Sequence, residues 1–102
     1  LGLLPVADTM SEDRIRAHVF VSGTVQGVRY RASTRDAARD HGVAGWVRNL
    51  DDGRVEAVFE GSDESVEAMI EWCDTGSRMA SVDDVDVSYE DPTGESGFQV
   101  RW

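Results

Sequence analysis

The sequence contains no lysine. All of its basic residues are arginine, at positions 14, 16, 29, 31, 35, 39, 48, 54, 78 and 101. Against these 10 stand 20 acidic residues, which leaves a formal net charge of −10 on 102 residues. A chain that used positive charge only for solvation would carry lysine somewhere, so acids do the solvating here. Such an excess destabilises the compact state by self-repulsion unless salt screens it, and the Debye length falls to about 3 Å at 1 M. The expected setting is a high-salt cytoplasm. The same charge excludes a duplex nucleic-acid partner, whose affinity comes mainly from Lys and Arg neutralising phosphates.

Cys73 is the single cysteine, which excludes a disulfide framework and a thiolate metal site. The two histidines, His18 and His41, are not spaced as a ligand motif, so no metal is expected. No apolar run approaches the ~18 residues of a membrane helix, and no membrane association is expected. The opening Leu1-Gly2-Leu3-Leu4-Pro5-Val6-Ala7 is apolar, but no basic residue precedes Arg14, so it lacks the n-region of a secretory signal. Met10-Ser11-Glu12-Asp13 reads as a natural start. Residues 1–13 are therefore expected to be a flexible leader, with residues 1–9 an added or misassigned segment. With 40% hydrophobic and 29% charged residues, the remainder has the composition of a folded chain and not of a disordered one. Residues 14–102 are expected to form a single domain, cytoplasmic and monomeric.

What is present is a clear alternation of periods. Ile15, Ala17, Val19 and Val21 share one face and Arg14, Arg16, His18, Phe20 and Ser22 the other, the pattern of a half-buried strand. Gly23 to Gly27 break it. Residues 30–41 read as a weakly amphipathic helix through Thr34, Ala37, Ala38 and His41, with Gly42 placed to end it. A strand over 43–49, the turn Asp51-Asp52-Gly53 and a strand over 54–60 read as a hairpin. Val66, Met69, Ile70 and Cys73 then recur at helical spacing after a Gly61 or Ser62 cap. Val85, Val87 and Tyr89 mark a fourth strand, and Phe98, Val100 and Trp102 a short fifth. This order predicts an α+β fold, the ferredoxin-like βαββαβ sandwich, with an antiparallel or mixed sheet, two helices on one face and solvent on the other. The fold by itself assigns no activity.

Two segments carry chemistry. Gly23-Thr24-Val25-Gln26-Gly27-Val28-Arg29-Tyr30-Arg31 joins a strand to a helix. Its glycines let the backbone curl so that successive N–H groups point inward, and the following helix adds its positive N-terminal end. Such a loop binds anions, and Arg31 in the first helical turn can fork two donors onto phosphate oxygens. No Gly-Lys-[Ser/Thr] follows, so a nucleoside triphosphate is not implied. The second segment is Gly45-Trp46-Val47-Arg48-Asn49-Leu50-Asp51-Asp52-Gly53. Taken alone, the first reads as a glycine turn with a solvated arginine, and the second as a strand end and a hairpin turn. Their occurrence in one chain shifts the balance.

Together the segments closely resemble the two signatures of the acylphosphatase family: Gly23-x-Val25-Gln26-Gly27-Val28-x-Tyr30-Arg31 and Gly45-Trp46-Val47-Arg48-Asn49-x-x-Asp52-Gly53. Met79-Ala80-x-Val82-Asp83 and the ending Phe98-x-Val100-x-Trp102 are also similar, with Trp where an aromatic, often Tyr, is usual. The resemblance covers residues 14 to 102 and implies hydrolysis of a small acyl phosphate to a carboxylate and inorganic phosphate, with no cofactor and no metal. It implies that Arg31 binds the phosphoryl group together with backbone N–H groups of the loop Gly23, Thr24, Val25, Gln26, Gly27, Val28, Arg29 and Tyr30. It implies that Asn49 positions the attacking water. These roles suit the chemistry, because phosphoryl transfer is mostly positioning and charge stabilisation, and a carboxylate leaves without a general acid.

The competing expectations are a non-catalytic anion- or metabolite-binding module on the same fold and an RNA-binding sheet. Intact Arg31 and Asn49 oppose the first. The second needs aromatic and basic residues on the open sheet face, and His18, Phe20, Glu56, Val58 and Glu60 supply few of them. Cys73 is expected to be a packed thiol. Neither His18 nor His41 has an evident catalytic partner in the sequence.

Overall fold

Alternation along residues 14–24 becomes β1 (Arg14–Thr24) in the computed structural model, which describes residues 14–102. The leader expected over 1–13 lies outside the described residues. There follow α1 (Tyr30–Asp40), β2 (Ala44–Asn49), β3 (Val55–Ser62), α2 (Asp63–Thr75), β4 (Ser81–Glu90) and β5 (Phe98–Val100). The strands form one sheet in the order β4-β1-β3-β2-β5, antiparallel except for the parallel β2·β5 pair. This is the expected ferredoxin-like α+β arrangement.

The apolar face of β1, with Ala17, Val19 and Val21 fully buried, meets Val66, Met69 and Cys73 of α2 and Ala38 of α1 in one core. α2 begins as its sequence demands. The Ser62 hydroxyl accepts from the Ser65 N–H at 3.2 Å, and Asp63 and Glu64 occupy the first turn. Cys73 is fully enclosed, and burial pushes its thiol up to about 12, so it packs and does not react. α1 stops two residues before Gly42, whose φ of 69° is the left-handed turn that ends a helix.

Two features departed from simple periodicity. β4 starts at Ser81, earlier than its alternation shows, because a bulge separates the Ser22↔Asp84 pair from Gly23↔Val82 and sets Val82 and Val85 out of phase. The face opposite the helices is not left to solvent at its centre: Glu56, Val58 and Glu60 of β3 are buried there. To reach β5 from β4 the chain crosses this face, and Glu60 holds the crossing. Its carboxylate accepts the N–H groups of Thr93 (2.9 Å), Gly94 (3.1 Å) and Glu95 (3.0 Å) and the Nη1 of Arg16 (2.6 Å). Burial alone would raise the Glu60 pKa; the Thr93 N–H, Arg16 and the other donors outweigh it and hold the group down at about 2. His18 lies between two carboxylates, Nδ1 2.7 Å from Glu90 and Nε2 2.5 Å from Glu56. Desolvation opposes its charge, but these bonds prevail and raise its pKa. Its partners are thus structural, and it stands on the face away from the helices.

Candidate active site

Between β1 and α1 the backbone turns left-handed twice in three residues, at Gly27 (φ 75°) and at Arg29 (φ 61°). For Arg29 this conformation costs roughly 1–3 kcal/mol, strain of the kind retained where a loop serves a ligand. Arg29 is also the N-cap of α1. It supplies no side-chain cap, and no acid stands in the first turn. The first intrahelical bond is Ser33 N–H to Arg29 O at 3.0 Å, so the N–H groups of residues 30–32 have no partner within the helix. The start of α2, by contrast, is closed by the Ser62 cap and carries Asp63 and Glu64 in its first turn.

Side chains fix this loop from behind. Gln26 Nε2 donates to the carbonyls of Leu50 (2.7 Å) and Arg54 (2.8 Å), tying it to the β2–β3 turn. Ser77 Oγ donates to Val28 O at 2.6 Å. The Tyr30 hydroxyl donates to Cys73 O at 2.8 Å while its ring packs against Trp72, and its burial raises the phenol pKa. Gly23 and Thr24 belong to β1, paired with Val82 and Ser81, and not to the loop proper.

In front of the loop lies a cavity of about 560 Å³. Among the residues named from the sequence, it brings together Val25, Gly27, Arg29, Tyr30, Arg31 and Asn49, whereas Gly23, Thr24, Gln26 and Val28 do not line it. Arg31 is the second residue of α1; its Nη1 donates to Arg101 O at 3.1 Å, and its guanidinium lies over the Trp102 ring. Asn49 ends β2, and its Oδ1 is buried without a hydrogen-bond partner among the described residues. An unpaired buried acceptor costs about 1–3 kcal/mol. Arg35, Arg39 and Trp102 also line the cavity, and neither signature marks them as site residues. The four-residue spacing of Arg31, Arg35 and Arg39 was the available signal.

Fold and cavity together define a small ferredoxin-like domain with an arginine-lined cavity in front of the loop between β1 and α1. A model of the acylphosphatase family matches residues 17–100. The acylphosphatase of Haloquadratum walsbyi is 73% identical over 92 residues, covering 90% of this chain and 99% of that protein. That of Haloarcula marismortui is 71% identical, covering 85% and 96%. Both organisms are halophilic archaea. The solved acylphosphatase of Coxiella burnetii superposes with a TM-score of 0.87 at 37% identity, covering 90% of this chain and 97% of that one. The Bacillus subtilis acylphosphatase superposes with a TM-score of 0.84 at 32% identity, covering 86% and 99%. The chain belongs to the acylphosphatase family. It is a hydrolase that cleaves acyl phosphates to a carboxylate and inorganic phosphate.

Proposed function

We propose that the phosphoryl group of the substrate sits in the loop, bound by backbone N–H groups of the loop residues that line the cavity, Val25, Gly27, Arg29 and Tyr30, and by the Arg31 guanidinium, while Asn49 Oδ1 accepts a hydrogen from the attacking water. The water oxygen forms the new bond to phosphorus, and the P–O bond to the acyl carboxylate breaks with its electron pair going to the carboxylate. The proton released by the water passes to a phosphoryl oxygen. The carboxylate is a stable leaving group and needs no acid. The residues lining the cavity include no histidine, cysteine or carboxylate that would compete with the phosphoryl oxygen as base. Binding and orientation then carry most of the rate, with charge stabilisation in a preformed site.

The observation that carries this assignment is the buried, unpartnered Oδ1 of Asn49 in the same cavity as Arg31 and the donor loop. Hydrolysis of acetyl and benzoyl phosphate by purified variants tests it. Arg31→Ala is expected to lose about 10³–10⁵ in kcat/KM with a raised KM, and Asn49→Ala about 10²–10³, chiefly in kcat. Arg31→Lys is expected to fail as well, because a point charge does not replace the planar fork. Near wild-type turnover in either alanine variant, correctly folded, overturns the assignment.

The same proposal places the activity in residues 14–102 as one domain acting as a monomer in the cytoplasm, without a nucleic-acid partner. The net charge of −10 supports the last point. No helix among the described residues is long and apolar enough to cross a membrane.

A further inference from the structure

Arg29 sits in the loop with φ 61°, a backbone conformation that its side chain disfavours. Rotation of the Val28–Arg29 peptide plane changes ψ of Val28 and φ of Arg29 together, and returns Arg29 to the negative φ ordinary for an L-residue. The same rotation reverses the plane's donor. In a trans peptide the C=O and N–H point in opposite directions, so turning Val28 O over turns the Arg29 N–H over with it.

Each peptide plane that carries an N–H of residues 29–31 is held by its carbonyl. Arg29 O accepts from Ser33 N–H at 3.0 Å and Tyr30 O from Thr34 Oγ1 at 2.7 Å, both within α1. Val28 O is held from outside the helix, by Ser77 Oγ at 2.6 Å. Ser77 is buried and does not line the cavity, whereas Arg29 does. The bond therefore fixes the plane with the Arg29 N–H aimed away from Ser77.

The end of α2 sets Ser77 in place. Gly76 N–H donates to Trp72 O at 2.8 Å, and Ala80 N–H donates to Ser77 O at 3.0 Å, so a closed turn flanks the hydroxyl on both sides. This turn is seated on Tyr30. The Tyr30 hydroxyl bonds Cys73 O at 2.8 Å, and Gly76 approaches the ring so closely that a Cβ there would stand 2.5 Å from it. Val28 and Arg29, by contrast, belong to no helix or strand.

We propose that Ser77 is a positioning residue for the hydrolysis: by holding Val28 O it keeps the Arg29 N–H turned toward the phosphoryl group, against the peptide flip that left-handed Arg29 favours. This rests on the placement of the phosphoryl group in the loop. Ser77 acts through the backbone alone.

Without the bond, an L-residue at position 29 prefers the flipped form by roughly tenfold. Apparent affinity falls by the competent fraction, and bound substrate restores the competent form. Ser77→Ala is therefore expected to raise KM for benzoyl phosphate and Ki for inorganic phosphate together, each about tenfold. Its kcat should change by less than about threefold, in a protein that still unfolds cooperatively in urea. Glycine takes either sign of φ about equally well, so at position 29 the flip removes only about half of the competent population. Adding Ser77→Ala to Arg29→Gly should thus raise Ki by no more than about twofold over Arg29→Gly alone. A rise as large in that background as in the native one overturns the positioning role, as does a rise below about twofold in folded Ser77→Ala. In the unaltered protein, titration with inorganic phosphate should shift the amide protons of Gly27, Arg29 and Tyr30 in proton–nitrogen correlation spectra. Shifts at Gly27 and Tyr30 without one at Arg29 overturn the role of Ser77, whether or not Ser77→Ala folds. No shift at any of the three overturns the phosphoryl placement, and the proposal with it.

Discussion

The Arg31 guanidinium lies 4.0 Å from the centroid of the Trp102 ring. With the bond from its Nη1 to Arg101 O at 3.1 Å, the last two residues of the chain hold the head group from one face and one nitrogen. In the proposed assignment the remaining donors take the phosphoryl group, in an orientation set before substrate arrives. A cation–π contact at an exposed site is worth about 0.5–1 kcal/mol. Trp102→Ala should therefore raise KM for acetyl phosphate by about two- to fivefold and change kcat less, with Trp102→Phe close to wild type. Steady-state kinetics check this; an unaltered KM in Trp102→Ala removes the positioning role.

Gly45 shows why a residue in the second signature need not touch substrate. Its φ is 142°, and a Cβ added there would stand 1.8 Å from the Val58 carbonyl oxygen on the neighbouring strand. Gly45→Ala must separate β2 from β3, and a loss of more than about 3 kcal/mol is expected, as for other backbone clashes in a core. Gly53, at φ 95° with nothing near its Cβ position, should cost only about 1–2 kcal/mol of conformational strain when changed to Ala. Urea midpoints of the two variants give the comparison, and equal losses would discount the strand-approach explanation.

Period and turn chemistry make most of this fold legible in the sequence. The apolar face of β1, the Ser62 cap and the Gly42 stop are local signals, and each stands where its residue type requires. Arg31 and Asn49 were legible through their paired motifs, and the structure brings both to one cavity. What stayed hidden is non-local. The bulge at Ser22/Gly23 shifts phase across two strands. Glu60 looks like a surface acid until the chain from β4 to β5 wraps it in three backbone N–H groups. Arg35 looks like a solvated helix arginine until Asn49 and Trp102 close the other side of the cavity.

Glu60 has a consequence in acid. Its folded pKa of about 2 lies below the ordinary 4.5, so as pH falls the unfolded chain takes up this proton first. The stabilisation is complete above about 4.5 and is lost as pH falls toward 2. The difference corresponds to on the order of 3 kcal/mol. Glu60→Gln is expected to be less stable than wild type at neutral pH and to show a flatter dependence between these limits. Thermal melts across the acid range measure both; an unchanged slope would show that other carboxylates govern acid unfolding.

Salt should act on this protein through repulsion that can be localised. Glu67 and Glu71 are both exposed on α2, one helical turn apart, and like charges at that spacing destabilise by about 0.2–0.5 kcal/mol where unscreened. The net charge of −10 adds a diffuse term of the same sign. Raising KCl from about 0.1 M to about 3 M shortens the screening length from about 10 Å to under 3 Å, so the urea midpoint of the wild-type protein should climb. The Glu67→Gln/Glu71→Gln variant should exceed wild type by a few tenths of a kcal/mol in dilute salt and match it in concentrated salt. A gain that persists at high salt would indicate improved helix propensity rather than relieved repulsion. A wild-type midpoint indifferent to salt would mean that the arginine pairs on β1 and β3 already offset the acidic surface.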